Sequence, residues 1–269
     1  KNRVSKPGFL SYTGSMDRRL FKQVFIASIF ILIVAVPVYF GFFSGKAEPT
    51  PAPGPIIAEP VILLEKLFMV SDFDYDFFVQ IRNSNTGFGA SQVSYELRLF
   101  DSAGQTVFEK SDSTFLLPGQ TRYEIISPIS LDAEAADFDF RLTGADWQKV
   151  TEFVLPSLLS LKNVNYSEVR PPEQGFSKLT GAVSNGSNFD FEIADVYAVL
   201  FDDRNDPIAV SKTDIRTFLS KTERFFEVKW FSPFDGEVSR FEVSPYTNVL
   251  RNDNFIKEHG TQERFQEFY

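Results

Sequence analysis

The sequence predicts an all-β protein, two sandwiches in tandem preceded by one long apolar helix. Three observations predict it. Residues 24–43 carry no charge. Most of the chain beyond them breaks into short runs in which apolar and polar residues alternate, the period of a half-buried strand. Those runs recur as a duplicated unit of about 100 residues, far longer than a solenoid repeat. The 31 Phe, 9 Tyr and 2 Trp exceed what a disordered chain carries, and Phe, Tyr and Val favour pleated, half-buried strands.

Taken in order, residues 1–23 hold Lys1, Arg3, Lys6, Arg18, Arg19 and Lys22 against Asp17 alone. That balance of +5, within a total of −9, leaves −14 on the remainder. An acidic body of this kind excludes nucleic acid as a partner, because phosphates need clustered Lys and Arg. From Val24 to Phe43, fourteen of twenty residues are Val, Ile, Leu or Phe, and a helix of that length spans about 30 Å, the hydrocarbon core of a bilayer. The basic flank predicts a single-pass helix with residues 1–23 in the cytoplasm and the C-terminal body outside. A cleaved signal peptide is the rival reading, but its apolar core usually runs only about 7 to 15 residues. Residues 44–60 follow as a proline-rich spacer, extended in the polyproline manner.

The duplicated units are expected at 61–149 and 150–246. Pro60–Leu64 corresponds to Pro156–Ser160, Val79–Asn83 to Gly181–Asn185, Tyr95–Asp101 to Val196–Asp202, and Arg122–Ile125 to Phe225–Val228. In the first unit Val93, Tyr95, Leu97 and Leu99 share an inward face while Gln92, Glu96 and Arg98 face water. Asp101-Ser-Ala-Gly104 and Asp202-Asp-Arg-Asn-Asp206 supply matching turns, with Asp as the cap and Gly or Asn tolerating positive φ. About seven such strands per unit indicate an immunoglobulin-like sandwich. The Leu97-Arg-Leu-Phe-Asp101 and Ala198-Val-Leu-Phe-Asp202 segments, with Asn83 and Asn185 upstream and Leu117-Pro-Gly-Gln-Thr121 downstream, resemble the signature of the FxLYD-type domain. Both depart from it, with Leu or Ala for the first Phe and Phe for Tyr. The resemblance covers about residues 60 to 245. It implies an extracytoplasmic sandwich of bacteria or archaea that binds or braces and carries no chemistry.

Site motifs are sparse. The chain has no cysteine, which excludes disulfides, thiolate metal sites and a cysteine nucleophile. Asp72-Phe-Asp-Tyr-Asp-Phe-Phe78 lacks the Gly and Glu of a calcium loop, with Phe77 and Asn83 at those places. Period-two alternation reads it instead as one strand with three aromatics inward and the acids outward. His259 is the single histidine, and no Gly-x-Ser-x-Gly elbow accompanies it. No catalytic residue, cofactor or metal ligand is therefore assigned. Asn165-Tyr-Ser167 and Asn185-Gly-Ser187 match a glycosylation sequon, which arises often by chance. In the tail, residues 247–269, Phe265, Phe268 and Tyr269 would lie together on one helical turn. They would either dock on the second sandwich or meet a partner. The expected function is a non-catalytic, membrane-anchored binding or scaffold protein of the cell envelope, with another surface protein as partner. The alternatives are an accessory subunit of a secretion, pilus or cell-wall assembly, and a surface hydrolase.

Overall fold

The computed structural model describes residues 18–43, 56–150 and 158–256. Residues 1–55 and 56–269 form two separate compact units. In the first, α1 runs Arg18–Phe43. It starts at Arg18 rather than Val24 because Arg18, Arg19 and Lys22 are good helix formers whose charged heads reach water. Its 26 residues extend about 39 Å, and α1 is long and apolar enough to cross a membrane. Pro37 lies within it. The Ser28 hydroxyl donates to the Val24 carbonyl at 2.8 Å, so it is spent on its own helix.

The second unit is built from twelve strands. The first six are β1 (Val61–Ser71), β2 (Asp74–Arg82), β3 (Phe88–Phe100), β4 (Thr106–Leu116), β5 (Thr121–Ser130) and β6 (Asp137–Lys149). The second six are β7 (Leu159–Glu168), β8 (Ser177–Asn185), β9 (Phe191–Phe201), β10 (Pro207–Phe218), β11 (Glu223–Trp230) and β12 (Arg240–Tyr246). Sheet β1-β2-β5 and sheet β4-β3-β6 enclose one core; sheet β7-β8-β11 and sheet β10-β9-β12 enclose the other. The two topologies are the same. Pairing the second strand with the fifth and the third with the sixth is the immunoglobulin-like arrangement. Each sandwich has six strands among the described residues, not the expected seven; no strand lies on the outer side of β6 or β12.

The alternation read in the sequence appears in β3, where Val93, Leu97 and Leu99 are fully buried and Tyr95 nearly so. The two Asp turns are near copies. Asp101 Oδ1 accepts from the N–H groups of Ala103 and Gln105 at 2.9 and 2.8 Å. Asp202 Oδ1 accepts from those of Arg204 and Asp206 at 2.9 and 2.8 Å. Gly104 and Asn205 take the positive φ, 77° and 68°. Asn83 and Asn185, both fully buried, tie together the opposite ends of their sandwiches. Asn83 Nδ2 donates to the carbonyls of Phe88 and Leu117, and Asn185 Nδ2 to those of Phe189, Phe218 and Leu219. Burial takes Asn185 out of reach as a glycan acceptor.

Three expectations are corrected. Asp72–Phe78 is a hairpin corner followed by a strand, because Ser71 and Ser130 hydroxyls both donate to the Asp74 carboxylate at 2.7 Å and hold the corner. Phe73 sits in that corner at φ 64° and is exposed, so it does not point inward. Secondly, counting from the paired asparagines shifts the alignment of the fifth strands by one residue. Arg122 lies opposite Ile81 and Arg224 opposite Val183, so Arg122 corresponds to Arg224 and not to Phe225. By the same count Ile62 corresponds to Leu161 and not to Leu158. Thirdly, the spacer is already fastened before Pro60: Ala58 N–H donates to Asn85 Oδ1 at 2.9 Å, and Asn85 Nδ2 donates back to Ala58 O at 2.7 Å.

Candidate functional site

The two sandwiches are packed against each other, sheet on sheet. On β2 and β5, Phe78, Tyr123 and Ile125 point away from the first core. On β9 and β10, Tyr197, Val199, Phe201 and Val210 point away from the second. These seven residues form a third buried cluster, with Phe68 and Tyr246 at its margin. Directly opposite residues in paired strands share a face, which is why Phe78 pairs with Ile125 and Val199 with Val210 within that layer. Polar contacts frame it. Lys66 Nζ donates to Pro207 O at 2.7 Å and Lys212 Nζ to Ile125 O at 2.6 Å; Tyr123 donates its hydroxyl to Glu242.

At one flank of this layer the apolar packing gives way to charge. Arg122 and Glu124 lie opposite Ile81 and Val79, on the core-facing side of edge strand β5. In the second sandwich the position of Glu124 is taken by Phe226, which fills the core beside Gly181. In the first, Arg122 closes the flank instead and is only 2% exposed. Its guanidinium stacks on Phe115 at 3.9 Å and on Tyr246 at 4.7 Å. Nη2 donates to the Tyr197 hydroxyl at 3.2 Å and stands 3.5 Å from both Glu124 and Asp195. Burial alone would lower the Arg122 pKa, but Tyr197, Glu124 and Asp195 outweigh it and hold the group charged. Burial pushes the Asp195 carboxyl upward, against the pull of Arg122, and pushes the Tyr197 hydroxyl well up.

A cleft of about 350 Å³ opens here between the sandwiches. Ser113, Thr114 and Phe115 of β4 line it on one side, and Glu192, Asp195 and Tyr197 of β9 on the other. The chain after β12 closes its end: Asn248 Nδ2 donates to Ser91 O of the first sandwich at 2.9 Å. Asn254 Oδ1 accepts from the Ile193 N–H at 3.1 Å, while Phe255 packs on Phe189 and Phe191. Residues 247–256 thus dock on their own chain. Phe265, Phe268, Tyr269 and His259 lie outside the described residues. A smaller cleft, about 230 Å³, separates Phe68 and Met69 from Ile208, Trp230 and Phe234; there the Trp230 indole N–H is already taken by Val210 O at 3.0 Å.

Sequence reasoning found the strands of this site but not their meeting. The signal was present: Val196-Tyr-Ala-Val-Leu-Phe201 is an unbroken apolar run where Tyr95-Glu-Leu-Arg-Leu-Phe100 alternates. Such a run marks a strand covered on both faces.

No family model matches the sequence, and no curated protein matches it. Among solved structures the chain is similar to the calcium binding domain CBD12 of CALX1.1, at 12% identity over 63% of this chain and 73% of that one, with a TM-score of 0.19. It is similar to CBD12 from CALX1.2 at 12% identity, over 64% and 73%, with a TM-score of 0.19. Red sea bream transglutaminase aligns at 9% identity over 71% of this chain, which spans 31% of that enzyme's length, with a TM-score of 0.23. Likenesses at these values carry no functional argument.

Proposed function

We propose that this protein is a membrane-anchored, non-catalytic binding or scaffold module of the cell envelope, with α1 in the bilayer, residues 1–23 in the cytoplasm and the two sandwiches outside. The sandwiches are of the FxLYD type by their sequence pattern. One observation carries the reading: a helix of membrane-crossing length precedes two sandwiches locked into a single body, which holds a polar cleft between rigid sheets. Recognition surfaces are commonly placed on such rigid frames. The acids deepest in the cleft already have partners, Glu124 in Arg122, Lys212 and Tyr197, and Asp195 in Arg122, which supports binding over hydrolysis. Ser28 spends its hydroxyl proton on Val24 O and has none left to donate to a neighbouring helix, which weighs against α1 acting as an assembly subunit.

Membrane fractionation tests the anchor. A C-terminally tagged chain is expected to stay with membranes through a carbonate wash and to be cut by protease added outside intact cells. Replacing α1 with an unrelated spanning helix is expected to leave in-cell crosslinking to the partner intact. Release into the medium, protection from external protease, or loss of crosslinking in the helix swap would each contradict the reading.

A further inference from the structure

We infer that two copies of this chain pair through the free edge of β6, antiparallel, with Phe140 of one copy opposite Phe140 of the other. The inference goes beyond the proposed function and does not depend on where the membrane lies. In a seven-stranded immunoglobulin-like sandwich a last strand runs beside the sixth. Among the described residues no strand pairs with that side of β6, and an edge strand presents unpaired N–H and C=O groups, a template for a further strand. The core side of β6 is also incompletely covered. Phe138, Phe140 and Leu142 lie opposite Leu99, Leu97 and Tyr95, so they share the core face. Phe138 and Leu142 nonetheless stay partly exposed, while Leu97 and Leu99 are fully buried.

Charge on the water-facing side selects the strand to be added. Across β4, β3 and β6 one row runs Glu109, Arg98, Asp139, and the next runs Ser111, Glu96, Arg141. Arg98 stands 3.1 Å from both Glu96 and Glu109, and Arg141 stands 2.8 Å from Asp139. Opposite charges directly across a strand pair stabilise it, and like charges destabilise it. The next strand must therefore set a cation beyond Asp139 and an anion beyond Arg141. With Phe140 opposite its own copy, β6 supplies both: Arg141 of the second copy faces Asp139, and Asp139 of the second copy faces Arg141. On the core face the same register sets Phe138 against Leu142 and covers both. Moving the two-fold axis by one residue puts Asp139 or Arg141 against its own kind. The contact is isologous and closes at two copies. Other edges fit less well. Symmetric pairing about the middle of β1 sets Glu65 or Lys66 against its own copy. On β4, Thr114, Phe115 and Leu116 are already buried. β12, the counterpart of β6, contains Pro245, which has no N–H, and Tyr166 of β7 closes on its Phe241 at 6.5 Å between ring centroids.

The full chain in dodecylmaltoside micelles is followed by light scattering over a dilution series. Four samples are compared: the parent, Arg141→Asp, Asp139→Arg, and an equimolar mixture of the two variants. In each variant alone two like charges face the same pair on the other copy, whereas in the mixture unlike pairs meet. The parent is expected to dimerise as concentration rises, each variant alone to need at least about tenfold more chain, and the mixture to dimerise as the parent does. Recovery in the mixture shows that both variants are folded. A nitroxide on Ser111→Cys in β4 is expected to report a distance between copies of about 24 Å, five strand spacings, which disappears when labelled chain is diluted into unlabelled chain. The inference is overturned if the parent stays monomeric, or if either variant dimerises as the parent does, which would place the contact elsewhere, as in α1. It is equally overturned if the mixture dimerises no better than its components.

Discussion

Asn83 and Asn185 show how a single amide holds the end of a sandwich. Each sits at the last or next position of its second strand and bonds the two loops that meet there. Asn83→Ala leaves the carbonyls of Phe88 and Leu117 without that donor, and the expected loss is about 1–3 kcal/mol, read as a lower urea midpoint at unchanged slope. Asp76 behaves in the opposite sense. Burial raises its carboxyl pKa, partly offset by a hydrogen bond from Ser127 and reinforced by Asp74. A carboxyl whose folded pKa lies above its unfolded value opposes folding when ionised, and that penalty disappears as the pH falls through the folded pKa. Asp76→Asn is therefore expected to raise the melting temperature at neutral pH. The gain should vanish at a pH low enough to protonate the carboxyl in both states; an equal gain at both pH values would show that charge is not the cause. The structural roles of Asn83 and Asn185 were legible in the sequence because a polar residue recurs at one place in both repeats. The role of Arg122 was not, since its counterpart Arg224 is an ordinary exposed residue. Only the arrival of the second sandwich makes one buried and leaves the other in water.

The elements differ between copies where the two sandwiches must differ. Gly181 lies opposite Phe226, and a Cβ there would come within 2.8 and 2.9 Å of that ring. The first sandwich has Val79 opposite Glu124, whose side chain lies at the flank, so the larger residue fits. Gly181→Val should overpack the second core and cost about 1–3 kcal/mol, measured by chemical unfolding. Phe226→Leu in the same background should recover some of that loss, and no recovery would mean that the clash lies elsewhere. The outer faces diverge as well. β9 presents Tyr197, Val199 and Phe201 outward, whereas β3 presents Glu96 and Arg98, with Arg98 paired to Glu96 and Glu109. The apolar face that β9 offers for stacking thus has no counterpart on β3. Strand periods were readable from the chain because alternation records one buried face. Stacking was not read, because a doubly covered strand and a partner strand with mixed residues must be matched across a separation that alternation alone does not encode. The Asp72–Phe78 corner was missed for a related reason: a turn made by serine hydroxyls on Asp74 carries no glycine or proline to announce it.

At the scale of the whole molecule, the layer formed by Phe78, Tyr123, Ile125, Tyr197, Val199, Phe201 and Val210 joins the two sandwiches into a single body, not two beads on a string. Its charged flank depends on Arg122. Removing it as Arg122→Ala leaves Asp195 partly buried without its nearest cation and Glu124 buried with only Lys212, 3.9 Å away, and losing one side of a buried ionic group typically costs about 3–5 kcal/mol. Calorimetry should then resolve two transitions in place of one, as the sandwiches come apart before either core melts. The absence of cysteine from the chain allows spin labels to be placed at will. The most direct measurement is the distance distribution between labels on Ser111→Cys in β4 and Arg216→Cys in β10 of the full chain. A single narrow distribution is predicted, broadened by Val199→Asp in the stacked layer. A broad distribution in the parent, unaffected by Val199→Asp, would contradict the account.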